Sequence, residues 1–287
     1  MKIKPWLAFA LITTVFWGIW GALIELPEKA GFPATLGYVV WALTMIIPAA
    51  IALYRVGWKL DKNRKAVLYG LLIGFAGAAG QLILFQALRT GPAYLVFPFV
   101  SLSPLVTILL SLWFLREKAS RKSWIGITIA LLSIPLLSYQ PAANGQKFGF
   151  LWIALALAVF LLWGVQAFVM KVANNHMKAE SIFFYMMIAG LALIPGALIM
   201  TDFSQPINWG FKGPYLAAGI QILNAIGALF IVYAFRHGRA IIVSPLTNAG
   251  APVITIILSL LIYGVFPHAV ILMGMILAVI AIFFLAD

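Results

Sequence analysis

Of 287 residues, 64% are hydrophobic and 9% charged; the net charge is +12 and cysteine is absent. No soluble core of this size hides so much apolar surface, and the long unalternating apolar runs indicate an all-α integral membrane protein. Thiolate metal sites are excluded, and cysteine usage carries no information on redox compartment. The positive charge marks membrane sidedness, as its positions show, so no nucleic-acid partner is expected.

Ten apolar spans are predicted at 5–24, 34–54, 66–88, 92–115, 123–140, 149–170, 180–200, 213–235, 240–262 and 267–286. Each is about the length that crosses a hydrocarbon core of roughly 30 Å. Lys2 and Lys4 ahead of the first run imitate a signal peptide, but nine further runs follow and no small-x-small site is evident. An uncleaved first helix is expected.

In chain order, span 1 places Trp17 and Trp20 on one face, with Gly18 and Gly21 on the next for close helix packing. Glu25 at its outer edge is either a solvated loop acid or a coupling or gating acid for a proton or another ion. On span 3, Gly74, Gly77 and Gln81 share a face, and Arg89 closes the span. Span 4 contains Pro98, Ser101, Ser103 and Pro104. Span 6 repeats the aromatic face with Trp163 and Gln166, span 8 carries Gln221 and Asn224 and ends at Arg236, and span 9 holds Ser244, Pro245, Thr247, Asn248 and Pro252. Proline frees the carbonyl four residues back, so spans 4 and 9 are each expected to break near the middle. Arg89 and Arg236 read either as snorkelling side chains or as a gate.

Ser103-Pro104-Leu105-Val106-Thr107-Ile108-Leu109-Leu110-Ser111-Leu112 returns as Ala251-Pro252-Val253-Ile254-Thr255-Ile256-Ile257-Leu258-Ser259-Leu260, identical in six of ten columns. The repeat extends along the chain at an offset of 146–148: Trp17-Gly18 with Trp163-Gly164, Tyr38 with Tyr185, Pro48 with Pro195, Gly80 with Gly227, Arg89 with Arg236, Gly126 with Gly274. The repeats are 1–140 and 149–287. Five spans per repeat is an odd number, so the second copy is expected upside down, an arrangement typical of secondary transporters. Placing the N-terminus in the cytoplasm puts fifteen Lys and Arg inside and four outside. Both termini are therefore expected on the cytoplasmic side of the plasma membrane.

Two five-span halves with Trp17-Gly18, Ala87-Leu88 closing span 3, a proline-bearing span 4, Glu117 after it and Trp124-Ile125-Gly126 opening span 5 resemble the EamA-like branch of the drug/metabolite transporter superfamily. That family usually repeats the Gly-Glu after its ninth span; here the sequence reads Gly264-Val265. The resemblance implies a carrier of small metabolites.

The residues themselves suggest a cavity lined by indoles (Trp17, Trp20, Trp163), amides (Gln81, Gln166, Gln221, Asn224, Asn248) and hydroxyls (Ser101, Ser103, Thr247). Interhelical glue is the alternative for the amides, and ordinary kinks with back-bonded hydroxyls for the prolines. No acid falls mid-span, His176, His237 and His268 lack ligand spacing, and no nucleotide or hydrolase motif is present. The expectation is a non-enzymatic secondary transporter without cofactor, moving a neutral or zwitterionic small molecule such as an amino acid, sugar or nucleobase. A passive channel is the first alternative, a membrane enzyme or lipid scramblase the second.

Overall fold

The structure, a computed structural model, describes residues 4–91, 93–139, 149–264 and 266–286, apart from the side chains of Ala93, Tyr94, Pro98 and Tyr263. Every regular element among them is helical. The first half contains α1 (Pro5–Leu23), the short α2 (Glu25–Lys29), α3 (Ala34–Thr44), α4 (Ile46–Arg55), α5 (Arg64–Thr90), α6 (Ala93–Ser101), α7 (Pro104–Phe114) and α8 (Arg121–Leu137). The second contains α9 (Leu151–Ala173), α10 (Ala179–Ala192), α11 (Ile194–Ile199), a π-helical turn at Phe211–Tyr215, α12 (Leu216–His237), α13 (Ala240–Tyr263) and α14 (Ala269–Leu285).

Joined across their short breaks, eight of these helices are long and apolar enough to cross a membrane. They coincide with eight of the ten expected spans. The two assigned to 123–140 and 267–286, however, are 17-residue helices, α8 and α14, about 26 Å long at 1.5 Å per residue. Large apolar side chains cover the outside, Trp113 at 82% and Phe283 at 72% exposure among them. A soluble monomer does not tolerate such a continuous patch; a bilayer covers it.

Prolines mark the breaks: the one expected in span 4 is present, and the one expected in span 9 is not. Pro104 begins α7 after a break at Leu102–Ser103, in the first helical position, where its missing N–H is not needed. Pro48 and Pro195 lie just beyond breaks at Met45 and Leu193, which split the second and seventh spans. The break expected in span 9 is corrected: α13 runs uninterrupted through Pro245 and Pro252. There, side chains bond the helix's own carbonyls. Thr247 Oγ1 donates to Val243 O and Ser244 O at 3.0 and 3.1 Å, and Asn248 Nδ2 donates to Ser244 O at 2.9 Å. Pro98 lies within α6, its ring outside the described side chains.

The halves interleave. α1 packs against α12 and α13, α9 against α5 and α7, and α8 against α14. Small residues bring these backbones together. A Cβ at Gly126 would meet Phe284 and Leu285, and one at Gly274 would meet Leu136 and Leu137, all within about 3 Å.

Candidate substrate cavity

A cavity of about 840 Å³ lies between the halves. α1 contributes Trp17, Trp20 and Gly21; α5 contributes Gly74, Gly77 and Gln81; α9 contributes Trp163 and Gln166; α12 contributes Gln221 and Asn224. Ser101 and Ser103 enter from the broken α6–α7 span, and Ser244, Thr247, Asn248 and Pro252 from α13. All eleven residues assigned to a cavity from sequence thus share one space. Pro104 and Pro245 lie outside its lining.

The walls are built twice over. Trp17 Nε1 donates to the Asn224 carbonyl and Trp163 Nε1 to the Gly77 carbonyl, both at 3.3 Å. Each indole lies over a glycine: a Cβ on Gly227 would come 2.5 Å from the Trp17 ring, and one on Gly80 would come 2.5 Å from the Trp163 ring. Thr107 Oγ1 donates to Gly164 O at 2.9 Å and Thr255 Oγ1 to Gly18 O at 3.0 Å. Gly164 seats Val106, and Gly18 seats Ile254. The repeated Pro-x-x-Thr sequence therefore joins each proline-bearing helix to the tryptophan helix beside it.

The polar lining departs from this pairing. Trp20 Nε1 donates to Gln221 Oε1 at 3.0 Å, whereas Gln166, at the place matching Trp20, lies over Gly77. Ser101 and Ser138 share a hydroxyl bond of 3.0 Å. Among the described residues the side-chain amides of Gln81, Gln166 and Asn224 have no hydrogen-bond partner, and all three residues are half-buried. Amides at membrane depth without protein partners are expensive unless water or a ligand meets them.

The ends of the cavity differ in charge. Glu25, Glu28 and Arg89 line one end, and the Glu25 side chain is 63% exposed, which marks the mouth. Glu25 pairs with Lys29 at 2.7 Å within one helical turn, and Arg89 donates to the Met200 carbonyl at 3.2 Å. At the other end Met45, Met170, Ile231 and Phe235 form a floor with at most 4% exposure. Arg236 stands apart from the cavity, donating to the Met177 carbonyl at 3.1 Å. Between mouth and floor the lining holds no Lys, Arg, Asp or Glu. Among the described residues no three His, Asp or Glu side chains come together.

Sequence reasoning missed the α3 wall of Tyr38 and Trp41, the rings of Phe85 and Phe97, and Ser138. The match of Tyr38 to Tyr185 was visible in the repeat and could have drawn attention to α3. Tyr38 donates its hydroxyl to the Gly190 carbonyl at 3.0 Å.

A chain helical throughout its described elements, whose two parts enclose a largely apolar cavity set with amides and hydroxyls, has the form of a multi-pass membrane transporter. The chain matches the EamA-like transporter family over residues 4–139 and 150–286, and it belongs to that family. It is 27% identical over 182 residues to the pseudopaline exporter CntI of Pseudomonas aeruginosa, covering 63% of this chain and 62% of that protein. Over 81 residues it is 31% identical to the probable 4-amino-4-deoxy-L-arabinose-phosphoundecaprenol flippase subunit ArnE of Hamiltonella defensa, covering 28% of this chain and 72% of that one. A crystal structure superposes with a TM-score of 0.78 over 99% of this chain and 96% of the other, at 18% identity, a likeness of fold.

Proposed function

We propose that the chain is a secondary carrier rather than an enzyme or an open pore, with two inverted five-helix halves rocking around the cavity. The observation that carries this reading is a cavity closed at one end only: its floor is buried while its mouth is lined by exposed acids. A channel conducts through a continuous path; a carrier exposes its site to one side at a time.

The loop contacts support the inversion. Asp61, after α4, accepts from the Lys178 N–H at 2.8 Å and the Ser181 hydroxyl at 2.9 Å. The matching loop, after α11, reaches instead to the end of α2, where Asn208 Nδ2 donates to the Ala30 carbonyl at 2.9 Å. The 22 residues of Ala34–Arg55 separate these two neighbourhoods, about 33 Å of helix. With α8 and α14 crossing as well, ten spans place both termini on one side. The charge distribution makes that side cytoplasmic and the mouth extracytoplasmic.

The lining supports a neutral or zwitterionic cargo. Removing an unpaired charge from water costs several kcal/mol even after relaxation, and phosphate sites characteristically use Arg or Lys. Mid-cavity amides and indoles offer hydrogen bonds and stacking without net charge. Of the relatives, one is named for exporting pseudopaline and the other for flipping a phosphoundecaprenol-linked sugar. The uncharged mid-cavity favours a cargo whose charges cancel, as in an amino acid. The test is thermal unfolding of the purified protein with panels of amino acids, sugars, nucleobases and sugar phosphates. Ligand at 100 times its Kd adds about 2.7 kcal/mol of apparent stability. A saturable rise with a neutral or zwitterionic compound is expected; a rise with a sugar phosphate alone contradicts the assignment.

A further inference from the structure

Just beneath the cavity floor, the corner joining α12 to α13 is gripped at both helix ends by side chains from elsewhere in the chain. Glu117, beyond the end of α7, accepts from the backbone N–H groups of Ala240 and Ile241, each at 3.1 Å. These are the first two residues of α13, where helix N–H groups lack intrahelical partners. Lys171, near the end of α9, donates through Nζ to the Phe235 and Gly238 carbonyls at 2.9 and 2.7 Å. The acid thus meets the positive end of one helix dipole and the base meets the negative end of another. Phe235 is itself a floor residue. Arg239 adds a bond from its guanidinium to the Lys118 carbonyl, beside Glu117.

We propose that Glu117 and Lys171 are the latch of the closed gate: together they hold the α12–α13 corner against α7 and α9, and opening to this face requires its release from both. The proposal rests on the carrier reading of the cavity. Glu117 belongs to the first half and the corner to the second, so its grip spans the surfaces that a rocking motion must part; Lys171 braces the same corner from α9, the second-half helix that packs against α5 and α7. The ion pair at the mouth, Glu25 with Lys29, lies within a single turn of one helix. The residue matching Glu117 in the second half is Val265, which offers no carboxylate. The latch chemistry is therefore one-sided in sequence, in keeping with a resting state open at the mouth.

The absence of native cysteine allows a direct test. Ser101 lines the cavity, and Ser101→Cys provides a nearly isosteric reporter for a small charged methanethiosulfonate that cannot cross membranes. In the parent background the reporter should react from the Glu25 face and resist reagent from the Glu117 face. Adding Glu117→Ala should raise the rate from the Glu117 face by roughly tenfold, on the scale of losing charge-assisted hydrogen bonds, and lower it from the other. Glu117→Gln keeps one acceptor oxygen and should fall between. Lys171→Met should act in the same direction as Glu117→Ala, and serves as the probe should Glu117→Ala not fold. A general loss of packing would lower thermal stability without this opposite change in the two rates. Folded variants with unchanged rates from both faces overturn the latch while leaving the carrier reading intact. A parent reporter unreactive from the Glu25 face overturns the carrier reading and the latch together.

Discussion

The seam where α1 meets α12 and α13 and the seam where α9 meets α5 and α7 are near copies. Each has an indole bonded to a carbonyl over a glycine notch, and each has a threonine bonded to the carbonyl of the glycine that follows the tryptophan. They differ only a turn away, where the side chains face the cavity. One seam joins Trp20 to Gln221, and the other leaves Gln166 unpaired over Gly77. The shared contacts hold helices together; those that differ are left to recognise a ligand. Substitutions can separate the two roles.

The largest effect is expected where the backbones are closest. A side chain at Gly164 would drive into Val106 and the Ser103 carbonyl, and one at Gly18 into Ile254 and the Ala251 carbonyl. Gly164→Leu and Gly18→Leu should each cost about 1–3 kcal/mol or more by overpacking, read as lost monodisperse protein on size-exclusion chromatography. Tolerance of either one would break the equivalence of the seams.

A middle effect belongs to the threonines. Thr107→Val and Thr255→Val each remove one interhelical hydrogen bond, worth about 0.6–2 kcal/mol in a membrane. Melting temperatures of the two variants should fall by similar amounts. A drop for one alone would show that one seam carries the stability.

The smallest effect on stability is expected for the amides. Gln81→Ala, Gln166→Ala and Asn224→Ala remove groups without protein partners, so stability should move by less than about 0.5 kcal/mol. Cargo binding or transport should fall by about tenfold for each lost hydrogen bond. Loss of folded protein instead would assign these amides to holding helices together.

Much of the site was legible because the repeat offset fixes which residues share a face. Once Trp17 is matched to Trp163 and Gly77 to Asn224, the inward faces of four helices follow. The break in span 4 was legible from its prolines; the continuity of span 9 was not. Pro245 and Pro252 resemble Pro98 and Pro104 in sequence, yet the helix breaks before Pro104 and continues through Pro245 and Pro252. The partner of Glu117 was equally hidden: its acceptors meet backbone N–H groups 123 and 124 residues away, and any residue but proline offers an N–H. The cavity's α3 wall escaped because Tyr38 and Trp41 occupy an apolar run indistinguishable by composition from lipid-facing helix.

The most direct test of two inverted halves uses two loops matched by the repeat. Lys62 lies after α4 and Ser204 after α11, and both are exposed. Single cysteines, Lys62→Cys and Ser204→Cys, should react with an impermeant maleimide from opposite faces of sealed membrane vesicles, Lys62→Cys from the cytoplasmic side. Reaction of both from the same face would mean that the halves run parallel, contradicting the inverted arrangement on which alternating exposure of the cavity depends.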